Sequence, residues 1–156
     1  MNSLMTLYGK CVKLPAGKRI FSKLLCLKAP YFGTIKPVFK ELKPGYCEIT
    51  MKNRRTVHNH IKSVHAIAMC NLSELAAGTM LEVTLPRSMR WIPKSMFVEY
   101  LKIAKTDLKA VCEISTEDLD KPQELPMTVH VKDINDAEVF QAVITMHISK
   151  RKKRKT

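Results

Sequence analysis

The longest apolar stretch of the chain lies between residues 57 and 81 and reads V-H-N-H-I-K-S-V-H-A-I-A-M-C-N-L-S-E-L-A-A-G-T-M-L. From residue 63 to residue 81, Ala, Leu, Met and Ile dominate, which predicts a helix with Ser63 as its N-cap. Apolar residues occupy almost every side of this helix, so we expect it to be buried all round. His65 and Glu74 are the only basic or acidic side chains within it.

Glu74 is the residue of this helix that most needs an explanation. Burying an unpaired carboxylate is strongly unfavourable, so Glu74 must have a partner, become neutral or reach a wet cleft. Each of these outcomes makes it a candidate functional residue. His65 and Ala66 fall in the first turn, where free backbone N–H groups can stabilise a developing negative charge.

The spacing of these groups predicts a shared site. Glu74 follows His65 by nine residues, which places it about 13 Å further along the helix and on the opposite side. One small reacting group cannot touch both ends of one helix. Two antiparallel helices across a two-fold axis would bring the first turn of one subunit beside Glu74 of the other, with two equal sites per dimer.

These residues resemble a known pattern. Asn59, then His65-Ala66, then an acid at position 74 is similar to the active-site pattern of hotdog-fold acyl-CoA thioesterases of the phenylacetate-pathway type, which is Asn, His-Gly and Asp at the same intervals. The longer string N-H-x-x-S-x-H-A-x-A-x-x-N-L-x-E-L-A-x-G resembles more closely a less characterised bacterial branch of that fold, a domain of unknown function. Ala66 and Glu74 replace the Gly and the Asp of the better-studied branch.

The resemblance implies an α+β hotdog fold, in which an antiparallel sheet wraps a long central helix. It implies a thioester hydrolase acting on acyl-CoA, as a homodimer or homotetramer, with coenzyme A only as part of the substrate. The thioester oxygen would lie at the N–H of Ala66, positioned by Asn59 and His65. Glu74 of the other subunit would act as general base or as nucleophile. Asn71, one turn earlier, would orient Glu74 or satisfy a buried backbone group.

The remaining pattern predicts helices first and strands afterwards. An amphipathic helix ends before Pro15, and a second one directs Ile20, Phe21, Leu24 and Leu25 inward. We expect these helices to cover the sheet and close one end of the acyl pocket. Alternating or short apolar runs then predict strands in a single domain, residues 1–149. The predicted strands are residues 29–35, 38–42, 46–52, 91–105, 107–115, 125–133 and 138–150.

The charge of the chain predicts an anionic partner. There are 27 Lys and Arg against 14 Asp and Glu, a net charge of +13. Arg54, Arg55, Lys62 and Arg90 lie near the proposed site and either hold the phosphates of coenzyme A or are solvated surface charges. Residues 150–156 begin with six consecutive bases and are expected to form a disordered, solubilising tail. Contact of this tail with nucleic acid or a membrane surface, or a role as a nuclear address, is the alternative.

Other classes of site find little support in the sequence. The five Cys include no C-x-x-C pair, which favours reduced thiols and a cytoplasmic protein. Lys10 and Lys13 interrupt the first apolar run, so no secretory signal is expected. His58, His60 and His65 have no Cys or acid at zinc-ligand spacing beside them, so no metal is expected.

Two other functions are alternatives to hydrolysis. The first is a non-catalytic hotdog module that binds acyl-CoA or an acyl carrier. The second is a small basic nucleic-acid-binding protein, but the chain has no recognisable binding motif and only 6% aromatic residues for base stacking. Nucleic acid is therefore not expected as a partner. A membrane is not expected either, because Glu74, Asn71 and His65 interrupt the apolar helix.

Overall fold

The computed structural model describes residues 2–151, in which three helices pack against one antiparallel sheet. The predicted α+β class, with N-terminal helices followed by the sheet, is confirmed. The helices are α1 (Ser3–Cys11), α2 (Gly17–Lys28) and α3 (Ala66–Thr84); the strands are β1 (Val38–Lys43), β2 (Tyr46–Met51), β3 (Met89–Tyr100), β4 (Leu108–Glu113), β5 (Gln123–Lys132) and β6 (Glu138–Lys150).

The six strands follow the order β1-β2-β4-β5-β6-β3, and each pairs antiparallel with its neighbours. One face is apolar because alternate residues point to the same side. Along β6, Phe140, Ala142, Ile144, Met146 and Ile148 are all fully buried, as their alternation in the sequence predicts. The long helix α3 packs across this face. The strands β1 and β3 are left as the two edges.

The central helix begins later than predicted, whereas its end at Thr84 lies where the sequence placed it, before Pro86. Its N-cap is His65, not Ser63. The reason is the loop before it, where the hydroxyl of Ser63 accepts a hydrogen bond from the amide of Asn59 at 2.8 Å and so is used outside the helix. The expectation that α3 is buried all round holds for most of its length. The exceptions include Ile67, Cys70 and Glu74, which are spaced three or four residues apart and leave one stripe partly open.

Several other predicted elements are wrong in detail. Residues 29–35 form no strand but a 3₁₀ helix, Pro30–Ile35, because Pro30 fits the first turn and the Thr34 hydroxyl donates to the carbonyl of Tyr31 at 2.8 Å. The predicted strand 91–105 stops at Tyr100. Beyond it, the N–H groups of residues 101 and 102 both donate to the carbonyl of Val139. Ile20 and Leu24, predicted to face inward, are 38% and 41% exposed.

The C-terminal boundary of the fold falls inside the predicted tail. Lys150 is the last residue of β6, and the guanidinium of Arg151 donates to the carbonyl of Met89 at 2.8 Å. The rest of the predicted tail, residues 152–156, lies outside the described residues. In the described part of the chain, no helix is both long enough and apolar enough to cross a membrane.

Candidate functional site

The first turn of α3 carries one free backbone donor. His65 has extended dihedrals, φ −65° and ψ 138°, and its Nδ1 accepts a hydrogen bond from the N–H of Ile67 at 3.1 Å. The carbonyl of His65 accepts from the N–H groups of Ala68 and Met69. Within residues 2–151, the N–H of Ala66 has no hydrogen-bond partner. This N–H is therefore available to a ligand oxygen at the positive end of a 19-residue helix.

Asn59 shapes the loop that leads into this turn. Its Oδ1 accepts from the N–H groups of Ile61 and Ser63, both at 3.1 Å, and its Nδ2 donates to the Ser63 hydroxyl. The residues that flank this loop, His58 and Val64, form an isolated β-bridge. The Asn59 amide is thus used within its own loop. Its hydrogen bonds hold the segment that leads into α3, and none of them is to Ala66.

Asn71 contacts the 3₁₀ helix. Its Nδ2 donates to the hydroxyl of Thr34 at 3.2 Å, and its Oδ1 is buried without a partner among the described residues. It makes no hydrogen bond to Glu74 in the described structure. Together with His58, His65 and Thr34 it lines a small cleft of about 180 Å³ at the start of α3. The structure therefore groups Asn71 with His65, not with Glu74.

Glu74 reaches a different space, on the side of α3 that faces the N-terminal helices. Its side chain is half-buried, and its carboxylate has no hydrogen bond or ion pair in the described part of the chain. It lines a groove of about 520 Å³ between α1, α2, α3 and the start of β3. The sequence left three possibilities for this carboxylate: a partner, a neutral state or a cleft. The structure places it in a cleft. The apolar walls of the groove are mainly Leu4, Leu7, Leu24, Leu25, Phe32 and Trp91.

The four bases predicted to hold coenzyme A do not lie together in one chain. Arg54 is partly buried, and its Nη2 donates to the carbonyl of Thr34 at 2.7 Å. Arg55 and Lys62 are exposed in the segment before α3. Arg90 is at the start of β3, where its Nε donates to the Ser149 hydroxyl at 3.1 Å. Arg90 follows the C-terminal end of α3. Because α3 has 19 residues, that end lies about 28 Å from its first turn.

Burial lowers the reactivity of several cysteine thiols. Burial raises the pKa of Cys70, one turn before Glu74, so this thiol is a poor nucleophile at neutral pH. Burial also raises the pKa of Cys112 to about 12 and that of Cys47, its cross-strand neighbour, well above its usual value. Among residues 2–151, no three His, Cys, Asp or Glu side chains are grouped so that they could hold a metal ion.

Trp91 is a wall of the groove that the sequence analysis missed. A Cβ added at Gly78 would lie 2.6 Å from a carbon of the Trp91 ring, so Gly78 lets the ring lie directly on α3. The indole N–H donates to Glu82 at 3.0 Å and fixes the ring. The signal in the sequence was the Gly four residues after Glu74, which is unfavourable in a helix unless something packs closely there.

We expect Gly78→Ala to destabilise the protein by about 1–3 kcal/mol through overpacking, although Ala is the better helix former. Trp91 is the single Trp, so its fluorescence should shift in the same variant. The control is Gly9→Ala in α1, where an added Cβ meets nothing within 4 Å and should stabilise slightly. Urea denaturation followed by circular dichroism measures both. Equal stability changes in the two variants would show that Trp91 does not rest on Gly78.

His65 gives a second test of local structure. We expect His65→Ala to lower the free energy of unfolding by about 1 kcal/mol, because the N–H of Ile67 loses its cap. His65→Asn should keep most of this stability, since Asn is a good N-cap. If a catalytic activity of the protein falls in both variants while only the first is destabilised, the imidazole has a role beyond the helix cap. Identical stability in wild type and His65→Ala would exclude the cap as a stabilising contact.

Comparisons with known proteins agree with this architecture. The model of the family described as Domain of unknown function (DUF4442) matches residues 17–148. The crystal structure of the structural-genomics protein APC5556 is 44% identical, with a TM-score of 0.84 over 96% of this chain and 98% of that one. The comparison with curated proteins finds no match.

More distant structures show the fold. PA5026 of Pseudomonas aeruginosa, a protein of unknown function named a probable thioesterase, is 19% identical with a TM-score of 0.74, over 88% of this chain and 97% of that one. Thioesterase HI1161 of Haemophilus influenzae is 10% identical with a TM-score of 0.73, over 85% and 91% of the two chains. The predicted hotdog fold, and its predicted bacterial branch of unknown function, are confirmed.

Proposed function

We propose that this chain, which belongs to the DUF4442 family and has the hotdog fold, is a thioesterase. The proposed substrate is acyl-CoA, and the proposed active site is shared by two subunits. The observation that carries the proposal is Glu74. Its carboxylate is half-buried, has no polar partner in residues 2–151 and lines an apolar groove large enough for an acyl chain. A carboxylate kept at such a position without a structural partner is available for chemistry.

The proposed reaction uses the two ends of the apposed helices. The thioester oxygen accepts a hydrogen bond from the N–H of Ala66, which stabilises the oxyanion as the carbonyl is attacked. Glu74 of the other subunit takes a proton from water, the resulting hydroxide adds to the carbonyl carbon, and the C–S bond breaks. The leaving thiolate then receives the proton. In the alternative route the Glu74 carboxylate attacks the carbonyl carbon, the C–S bond breaks, and the thiolate leaves and takes a proton from solvent. Water then hydrolyses the resulting anhydride, which releases the acid and restores Glu74.

The edge strand β3 supports the assembly that this reaction needs. It is 12 residues long and pairs only with β6. Its Ile92 and Phe97 side chains are 59% and 66% exposed. Long apolar edge strands are normally paired or covered, and a second copy of the chain is the partner that the proposed shared site requires. Light scattering should report a dimer or tetramer, and a stable active monomer would contradict the proposal.

We assign the phosphates of coenzyme A to the bases before α3. Arg55 and Lys62 are exposed there without an ion pair to a carboxylate among the described residues. Arg54 is held against the 3₁₀ helix beside them. Ion pairs between such bases and phosphates are weakened by salt, so this assignment makes KM for acyl-CoA rise with ionic strength. A thioester without phosphates provides the comparison.

A non-catalytic acyl-CoA-binding module is the second candidate. It is favoured by the engagement of Asn59 within its own loop and of the His65 Nδ1 in the helix cap, because two residues expected to position the thioester are already occupied. In that case the groove would still bind the acyl chain, but no water would be activated.

A thiol-release assay over a panel of acyl-CoA chain lengths tests the proposal. Wild type should release thiol, Glu74→Gln should not, and Glu113→Gln, an exposed acid at the end of β4, should behave as wild type. Calorimetric titration of the same esters identifies the second candidate. Tight binding of acyl-CoA with no thiol release at any chain length would favour the binding module and contradict hydrolysis.

A further inference from the structure

The first 40 residues of the chain include α1 and α2 and are called here the N-terminal layer. This layer is cationic and contains no acid. The first acidic residue of the chain is Glu41, and the preceding 40 residues contain eight bases. All eight are exposed, and within residues 2–151 none is paired with a carboxylate. Later in the chain, by contrast, five lysines of the strands and loops form ion pairs with carboxylates. The eight bases are Lys10, Lys13, Lys18, Arg19, Lys23, Lys28, Lys36 and Lys40.

The same layer exposes a ridge of large apolar side chains, which we call the α2 ridge. It consists of Ile20, Leu24, Leu27 and Tyr31, which are 38%, 41%, 79% and 65% exposed. Their spacing of four, three and four residues places the first three on one side of α2. A neighbouring side of α2, about 100° around the helix from Ile20, buries Phe21 completely. A surface helix needs one apolar stripe to face the core, so core packing does not explain this second stripe.

The bases and a groove border the α2 ridge. At 100° per residue, Arg19 and Lys23 follow one flank of the ridge and Lys28 the other. Beside the first flank is a groove of about 620 Å³ between α2 and the 3₁₀ helix. Its walls include Leu27 and Pro30, and its charged lining residues are all bases. An apolar ridge flanked by bases is typical of helices that lie in the interface of a membrane.

We propose that the α2 ridge docks on the surface of an anionic phospholipid bilayer. Leu27 and Tyr31 insert among the headgroups, and the flanking bases contact the lipid phosphates. This differs from a membrane span, which the described helices do not provide. The sequence alone did not favour a membrane partner, because the exposure of the ridge was not visible in it. Leu24 of the ridge and the flanking Lys28 also line the Glu74 groove, whereas Arg19, Lys23 and Leu27 do not. Variants at these last three residues therefore test lipid binding separately from the proposed hydrolysis.

The full chain is tested by sedimentation with vesicles of phosphatidylcholine alone and of phosphatidylcholine with phosphatidylglycerol in a two-to-one ratio. We expect binding to the anionic vesicles only, and weaker binding at high salt. The double variant Arg19→Glu/Lys23→Glu should bind at least about tenfold more weakly. Its control, Lys102→Glu/Lys105→Glu, changes two exposed bases elsewhere by the same charge and should keep most of the binding.

The apolar contribution has its own pair of variants. Leu27→Gln should weaken vesicle binding several-fold, whereas Ile134→Gln, at a residue 67% exposed between β5 and β6, should not. Thiol release from soluble acyl-CoA should be unchanged by Leu27→Gln, so that lipid binding and hydrolysis can fail separately.

Three results would overturn the proposal. Equal loss of binding in the two double variants would show that net charge alone is responsible. Loss of binding on removal of residues 152–156 alone would assign it to the tail. If the wild type does not bind vesicles and Leu27→Gln changes the oligomeric mass, the ridge contacts a second copy of the chain.

Discussion

Glu74→Gln should lower kcat for thioester hydrolysis by roughly 10²–10⁴-fold, the range for a positioned acid–base group. Gln keeps the shape of the side chain and removes its charge and basicity. KM should change little, because the groove is otherwise intact. Stability should also change little, within about 0.5 kcal/mol, since the carboxylate has no hydrogen bond or ion pair to lose among the described residues. Measuring kcat and melting temperature on one sample separates these effects.

The contrary outcomes are specific. If Glu74 only holds a contact between subunits, Gln will destabilise the assembly and activity will fall in step with folding. Undiminished kcat in a well-folded variant would disprove the proposed role. For the wild type, single-turnover hydrolysis in heavy-oxygen water distinguishes the two routes. Label within Glu74 indicates an anhydride, and label only in the released acid indicates a general base.

Ala66→Pro should lower kcat by roughly 10²–10³-fold, as expected for loss of one oxyanion donor, while leaving the fold intact. Ala66 is the first residue of α3, a position where Pro is well tolerated. Its N–H has no partner in residues 2–151, so no structural hydrogen bond is lost. His65 already has φ −65° and ψ 138°, which suits a residue before proline.

Ala66→Gly is the matched control, because it keeps the N–H and removes only the methyl group. It should retain activity, and it restores the residue of the better-studied branch. Full activity in Ala66→Pro, measured by thiol release with a wild-type circular dichroism spectrum, would show that this N–H does not hold the substrate oxygen.

The fold could be predicted where the periodicity of the sequence is strong. The alternation of β6 set its bounds correctly, at Glu138–Lys150. The apolar run of α3 predicted a buried helix, although its N-cap was placed at Ser63, two residues before the observed His65. That error has a physical origin: Ser63 and His65 can both cap a helix, and only the loop bonds of Asn59 decide between them.

Pattern alone was not sufficient where short apolar segments were involved. Residues 29–35 are as apolar as a strand, but Pro30 and the Thr34 hydroxyl favour a 3₁₀ helix. Leu24 has the spacing of a core residue and instead lines an open groove on the exposed side of α2. Whether such a side chain is buried depends on which helices pack against it. The local spacing of apolar residues does not contain that information.

The candidate site could be predicted in part. The sequence identified Glu74 as unexplained by packing and Ala66 as a first-turn donor, and the structure places both as unpartnered groups within the described residues. It did not indicate that Asn71 bonds to Thr34 or that Trp91 packs on Gly78. The first contact joins residues 37 positions apart in the chain, and the second joins α3 to the strand that follows it. Both depend on how separate elements pack, which local sequence does not give.

The most direct test of the central claim is to measure the activity of a mixed dimer. Glu74→Gln and Ala66→Pro subunits carrying different affinity tags are co-expressed, and the heterodimer is isolated. Because each proposed site takes Ala66 from one subunit and Glu74 from the other, one of its two sites is intact. We predict about half of the wild-type kcat per dimer, with both parent homodimers nearly inactive. A heterodimer as inactive as its parents would contradict a site shared between subunits.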